Sequence, residues 1–215
     1  MKFTKEQLKG RLKNIANQND ADARVLLRSF MMERFLERLS ESEYVDRFLI
    51  KGGILVTSMV RMRLRSTMDI DASVTGFDLT EKEAEGIVKD IINIPLDDGV
   101  VFEIKTVDGI MDDMEYPGIR VSLEAYMDQI ECPLKIDIST GDVITPRAIQ
   151  FNYGLLLEDR SIQLKSYSII SYVETDSIMR ERWGKYRKKY QYAQSISFDG
   201  VMQSVRELAD RIFQR

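Results

Sequence analysis

Phe48-Leu49-Ile50-Lys51-Gly52-Gly53, followed after fifteen residues by Asp69-Ile70-Asp71-Ala72-Ser73-Val74, is the stretch on which the reading of this chain turns. An apolar run enters a Lys-Gly-Gly turn, and a second run alternates acidic with apolar residues. Alternate residues of a strand point the same way, so Asp69 and Asp71 share one face and can grip one divalent cation. A glycine pair opening a helix offers bare backbone N–H groups to phosphate. Two like charges on one strand face repel, and a divalent cation is the simplest reason to keep them together. The same residues also suit a solvated strand face and a tight strand-to-helix turn without a ligand. Lys51 either neutralises phosphate oxygens or is an ordinary surface lysine.

Further along, Leu134-Lys135-Ile136-Asp137-Ile138-Ser139 alternates in the same manner, with Asp137 on the polar side and Gly141-Asp142 just beyond. A third carboxylate at Asp137 would help place a second metal that lowers the pKa of an attacking hydroxyl. The alternative is a surface charge on an edge strand. Arg61, Arg63 and Arg65 form an alternating basic run ahead of Asp69, suited to a triphosphate or RNA phosphate, or else to a solvated loop. A phosphate cradle beside paired carboxylates is what a nucleotide-transfer centre requires.

Composition narrows the chemistry. The 215 residues contain no histidine, which excludes Ser-His-Asp and Cys-His mechanisms and histidine-containing zinc sites. Catalysis would have to run on carboxylates, Lys, Arg, Tyr or a bound metal. Cys132 is the single cysteine, so no intrachain disulfide framework exists. No apolar stretch reaches the ~18–20 residues that span a bilayer, and the basic N-terminus lacks a secretory apolar segment. The expectation is a cytoplasmic protein without a membrane. A net charge of −4 gives no overall attraction for nucleic acid, so binding to RNA would need a local basic patch.

Periodicity predicts helices over 4–18, 20–39, 54–62, 80–94, 172–193 and 197–213, with strands over 47–50, 68–75, 100–107, 118–125, 133–139 and 155–165. In the second helix, Val25, Leu26, Phe30, Met31, Phe35 and Leu39 form the core stripe, and Glu33, Arg34, Glu37 and Arg38 fit its wet side. The tail interleaves Arg180, Arg182, Lys185, Arg187, Lys188 and Lys189 with Trp183, Tyr186 and Tyr190. That mixture suits RNA, yet the aromatics at i, i+3, i+7 also make a packed stripe with a wet basic face. The order is a helical arm (1–41), an α/β domain (42–168) and a C-terminal helical region (169–215).

At these residues the chain resembles the AbiEii/AbiGii-type nucleotidyltransferase toxins of bacterial abortive-infection and toxin–antitoxin systems, within the polymerase-β-like nucleotidyltransferase superfamily. The matching stretches are Asp20 to Met32, Phe48 to Gly53, Arg65 to Ala72, Lys135 to Pro146 and Leu164 to Ile169. The tail from Trp183 to Tyr186, Tyr192-Ala193 and Ile196 to Phe198 matches as well. The resemblance implies an α/β (α+β) fold, a nucleotidyltransferase-like mixed sheet flanked by helices. It implies Mg²⁺ (or Mn²⁺) held by Asp69 and Asp71, with Asp137 as the third acidic position. It further implies an NTP substrate whose phosphates meet Lys51, Gly52, Gly53 and Arg65. Gly53 stands where the superfamily usually has serine, and Ser66 or Thr67 would supply the hydroxyl. A cognate antitoxin, a role in phage defence and an RNA acceptor such as tRNA follow from the same resemblance.

One departure stands out. After the Lys-Ser-Tyr-Ser segment, family members usually carry an Ala-Glu-Lys-Leu helix and then an Arg-x-x-Asp-x-x-Asp helix. Here Leu164-Lys165-Ser166-Tyr167-Ser168 passes through Tyr172-Val173-Glu174-Thr175 directly into tail-like sequence. The lysine and aspartates of that motif have no counterpart. Two expectations follow: a nucleotidyltransferase moving NMP from an NTP to an acceptor hydroxyl, or an impaired relative that binds nucleotide or a partner without turnover.

Overall fold

The computed structural model describes residues 3–19, 21–51, 54, 69–74, 79–110, 118–140, 148–166, 173, 176–189 and 193–213, with backbone alone at 140, 149, 189 and 208–213. Among the described residues seven strands form one mixed sheet: β1 (Phe48–Lys51), β2 (Ile70–Val74), β3 (Val101–Ile110), β4 (Gly118–Met127), β5 (Ile130–Thr140), β6 (Ile149–Gly154) and β7 (Ser161–Ser166). Their spatial order is β3-β4-β5-β2-β1-β7-β6. The described helices are α1 (Lys5–Asn19), α2 (Ala23–Ser40), α3 (Glu81–Ile92), α4 (Ser177–Lys189) and α5 (Phe198–Phe213). None of them is long and apolar enough to cross a membrane.

The chain divides into two compact units, Met1–Val143 with Gln150–Ser166, and Ile144–Ile149 with Tyr167–Arg215. In the first, strict alternation builds an apolar sheet face. Phe48, Ile50, Ile70, Ala72, Val74, Val121, Leu123, Ile136 and Ile138 are all buried. Helix α2 lies against β5 and β7, and α3 against β3 and β4. Local chemistry sets the helix starts. Thr4 Oγ1 accepts from Gln7 N while Thr4 N donates to Gln7 Oε1, and Thr80 and Glu83 repeat this reciprocal cap on α3. The β4–β5 hairpin closes over Asp128 and Gln129, with Asp128 at φ 51°, a left-handed turn position that aspartate tolerates.

Helix α2 departs from the expected amphipathic pattern. Glu33, Arg34, Glu37 and Arg38, read as its wet side, are buried along with the apolar stripe. Their charges are matched by groups far along the chain. The Glu33 carboxylate accepts from Leu156 N at 2.9 and 3.0 Å. Arg34 pairs with Glu158 at 3.0 Å and Glu37 at 2.9 Å, and Arg160 reaches Glu37 and Glu158. Arg38 donates to both oxygens of Asp98, at 2.7 and 3.0 Å, and to the Val100 carbonyl at 2.9 Å. Periodicity cannot distinguish charges facing water from charges facing partners 60 to 124 residues away.

Of the strand expected over 155–165, the part from Ser161 onward is β7 and the part before it is a turn. Leu155 N donates to Arg160 O at 3.1 Å, closing a turn between β6 and β7. Leu155 and Leu156 are buried because that turn seats on α2 through Glu33, not because they lie in a strand. Of the helix expected over 54–62, only Ile54 falls among the described residues. Of the helix expected over 172–193, Ser177–Lys189 is described as α4.

In the second unit Asp176 Oδ1 caps α4, accepting from Ile178 N at 2.7 Å and Met179 N at 3.1 Å. Trp183 and Tyr186 stack at 5.3 Å and line an apolar groove with Phe198, Val201, Met202 and Val205 of α5. Trp183 Nε1 donates to Ile196 O at 3.2 Å. Trp183 and Tyr186 thus line the α4–α5 groove, with Tyr186 still 37% exposed, while Arg182, Lys185 and Lys188 stay exposed. Tyr190 lies outside the described residues.

Removing Arg38 leaves the buried Asp98 carboxylate without its counter-charge. Arg38→Ala is expected to lower unfolding stability by about 3–5 kcal/mol in urea titration. The exposed Lys105–Glu103 pair is the control: Lys105→Ala is expected to leave the urea midpoint unchanged.

Candidate active site

The two carboxylate strands are neighbours. β2 and β5 pair in parallel with Asp71 opposite Asp137, Ala72 opposite Ile138 and Ser73 opposite Ser139. β1 runs antiparallel to β2 and sets Lys51 opposite Asp71. β4 runs antiparallel to β5 and sets Arg120 opposite Asp137, with Asp108 of β3 opposite Arg120. Side chains at paired positions share a face, about 5 Å apart. One polar row therefore crosses five strands as Lys51, Asp71, Asp137, Arg120 and Asp108, on the face opposite the apolar core.

Asp137 and Arg120 form a fork-to-fork pair. Arg120 Nε donates to Asp137 Oδ1 and Nη2 to Oδ2, each at 2.7 Å. The Asp137 side chain is 21% exposed and that of Arg120 37%. One residue further along the same face, Lys51 Nζ donates to Ser139 Oγ at 2.7 Å, and Ser139 Oγ lies 3.0 Å from the buried Ser73 hydroxyl. Lys51 thus leans across β2 toward β5.

Asp71 is half-buried, and its carboxyl is pushed above the usual carboxylate range. Burial is the largest cause, followed by the negative charge of Asp137, with Asp69 adding to it. Lys51 and Arg120 pull the other way without cancelling it. Asp69 sits half-buried at the bend that leads into β2.

The donors here are carboxylates and hydroxyls, the hard oxygen set that suits Mg²⁺ or Mn²⁺. Among the described residues no three His, Cys, Asp or Glu side chains are grouped to hold a metal unaided. That is compatible with Mg²⁺, which binds through one or two carboxylates, substrate phosphates and water rather than a closed protein cage. Gly52, Gly53, Arg65, Ser66 and Thr67 lie outside the described residues, as do Arg61, Arg63 and Asp142. Sequence reasoning missed Arg120. Its signal was the alternation Arg120, Ser122, Glu124, Tyr126, but only the β4–β5 register reveals that Arg120 faces Asp137.

Residues 34–173 match the family described as nucleotidyl transferase AbiEii toxin, type IV TA system. No curated protein matches the chain. Among solved structures, JHP933 of Helicobacter pylori is 15% identical, with a TM-score of 0.43 over 79% of this chain and 70% of that one. A candidate nucleotidyltransferase of H. pylori is 14% identical, with a TM-score of 0.40 over 76% and 68%.

The raised Asp71 pKa has a consequence for stability. Between the ordinary aspartate range and the raised value, the folded protein binds more protons than the unfolded chain. Stability therefore falls as pH rises through that window. Asp71→Asn removes the penalty. In thermal melts the variant is expected to unfold above wild type at pH 7, and the gap to close as pH falls below the ordinary aspartate pKa.

Proposed function

Because the chain belongs to the AbiEii nucleotidyltransferase toxin family, matched over residues 34–173, we propose that it is a Mg²⁺-dependent (or Mn²⁺-dependent) enzyme transferring NMP from an NTP to an acceptor hydroxyl on an RNA such as tRNA. The observation that carries this reading is the register that sets Asp71 beside Asp137 on adjacent parallel strands, with Lys51 next to them.

In this proposal Asp69 and Asp71 hold the cation at the nucleotide phosphates. When bound, a divalent ion supplies charge neutralisation there and acidifies an adjacent hydroxyl. Asp137 accepts a hydrogen bond from the attacking hydroxyl and orients it. Lys51 balances phosphate charge. Gly52 and Gly53 offer backbone N–H groups, with Arg65, Ser66 and Thr67 as further phosphate contacts. The acceptor oxygen forms its bond to the α-phosphorus as the bond to the leaving pyrophosphate breaks, and the hydroxyl proton leaves past Asp137. A cognate antitoxin is the partner that a type IV system would provide, and the cytoplasm is the proposed compartment.

A second reading is supported by one sequence feature. The family match stops at residue 173, just before the point at which the chain lacks the family's Lys- and Asp-bearing helices. A protein short of those groups would bind nucleotide or a partner without turnover.

Asp69→Ala combined with Asp71→Ala is expected to reduce incorporation of labelled nucleotide into RNA to background; full activity in that variant overturns the enzyme reading. Calorimetry with each NTP and Mg²⁺ separates the alternatives. Binding accompanied by transfer supports the enzyme, binding without transfer supports the second reading, and no binding counts against both.

A further inference from the structure

The geometry points to Arg120 as a positioning residue, one that clamps Asp137 by both carboxylate oxygens and balances the like charges that the β2–β5 register forces together. This inference rests on the nucleotidyltransferase reading for its catalytic consequence, but its electrostatic part stands on the sheet alone.

Three observations carry it. First, Asp71 and Asp137 are direct cross-strand neighbours, an arrangement in which like charges destabilise a sheet. Second, cations flank the two acids on the neighbouring strands: Lys51 of β1 lies opposite Asp71 and Arg120 of β4 opposite Asp137, with Asp108 of β3 the next group beyond Arg120. Third, the Arg120 pair is bidentate, which fixes the plane of the Asp137 carboxylate as a single lysine contact could not. A carboxylate offers about four lone-pair sites, and the fork uses two. Asp137 can therefore stay clamped and still accept a hydrogen bond from a hydroxyl or bind a cation on its remaining lone pairs.

Removing the guanidinium should affect rate and cation affinity in opposite directions. Asp137 loses its fixed orientation, which slows a step that depends on orientation. The site also gains one unit of negative charge, which attracts a divalent ion.

The test is a Mn²⁺ titration of the full chain by electron paramagnetic resonance without nucleotide, run beside steady-state NMP transfer. Arg120→Gln is expected to bind Mn²⁺ about three- to tenfold more tightly. Its kcat is expected to fall about tenfold or more, the usual cost of losing a group that orients a ligand, while KM for the NTP stays within about twofold. Arg120→Lys keeps the charge and loses the fork, so Mn²⁺ affinity stays near wild type while kcat still falls. Unchanged Mn²⁺ affinity in Arg120→Gln overturns the inference, as does a loss confined to KM. Should Arg120→Gln not fold, Arg120→Lys decides, and wild-type kcat in that variant overturns the inference. A wild-type chain that binds Mn²⁺ and transfers nothing counts against the nucleotidyltransferase reading, and the Mn²⁺ comparison still decides the electrostatic role of Arg120.

Discussion

Helix α2 is buried on every side over its C-terminal half, and that burial is the constraint around which the first unit is organised. A helical stretch carrying Glu33, Arg34, Glu37 and Arg38 can be desolvated only if each charge finds a partner, because an unpaired buried charge costs several kcal/mol. The partners come from two distant places: the 98–100 segment leading into β3, and the 156–160 turn joining β6 to β7. Pairing them fixes α2 at both ends of the sheet order. Among the apolar residues of the same helix, Phe30 packs edge-on against Phe3 and Phe35 against Phe102 of β3. Such a network contributes little net stability compared with an all-apolar helix of the same shape, but it penalises every arrangement that leaves one member unmatched.

The polar face follows from the apolar one. Once Ile70, Ala72, Ile136 and Ile138 face the apolar core, a period of two sends Asp71, Ser73, Asp137 and Ser139 to the other side. A register slip of one residue would bury both carboxylates in the core, so the hydrophobic pattern and the acid pattern enforce the same pairing. What the alternation cannot do is make two carboxylates comfortable side by side. Burial first, and the Asp137 charge second, raise the Asp71 pKa, and Lys51 and Arg120 offset only part of that rise. A functional site tolerates a cost of this kind where the rest of the sheet would not.

How much of this was legible from sequence differs by residue. The strands bearing Asp71 and Asp137 were legible because alternation is a local signal. That they are parallel neighbours was not, since they lie 66 residues apart and pairing is decided by the whole sheet. Lys51 could be placed beside Asp71 only once β1 was known to run antiparallel to β2. Arg120 looked like any arginine on the wet side of a strand. The charges of α2 were misread for the reverse reason: charged residues at i, i+1, i+4 and i+5 look like a solvated face until their partners are known. The run Leu155-Leu156-Leu157 suggests a strand, whereas the backbone turns there, with Leu155 N donating to Arg160 O and Leu156 N to Glu33.

The two arginine-based devices differ in a way that reflects their places in the fold. Arg38 and Asp98 are both almost fully buried, so their pairing is a condition of folding and leaves no room for anything to exchange with it. Arg120 and Asp137 also form a two-point pair, through Nε and Nη2 at 2.7 Å, yet both side chains keep contact with water. Solvent lowers the cost of rearranging that pair, and a ligand can approach the Asp137 lone pairs that the fork leaves open. The first pair is built to be permanent. The second is held firmly enough to fix a carboxylate plane and is exposed enough to receive a third group, which is the combination a reacting centre needs from its supporting residues.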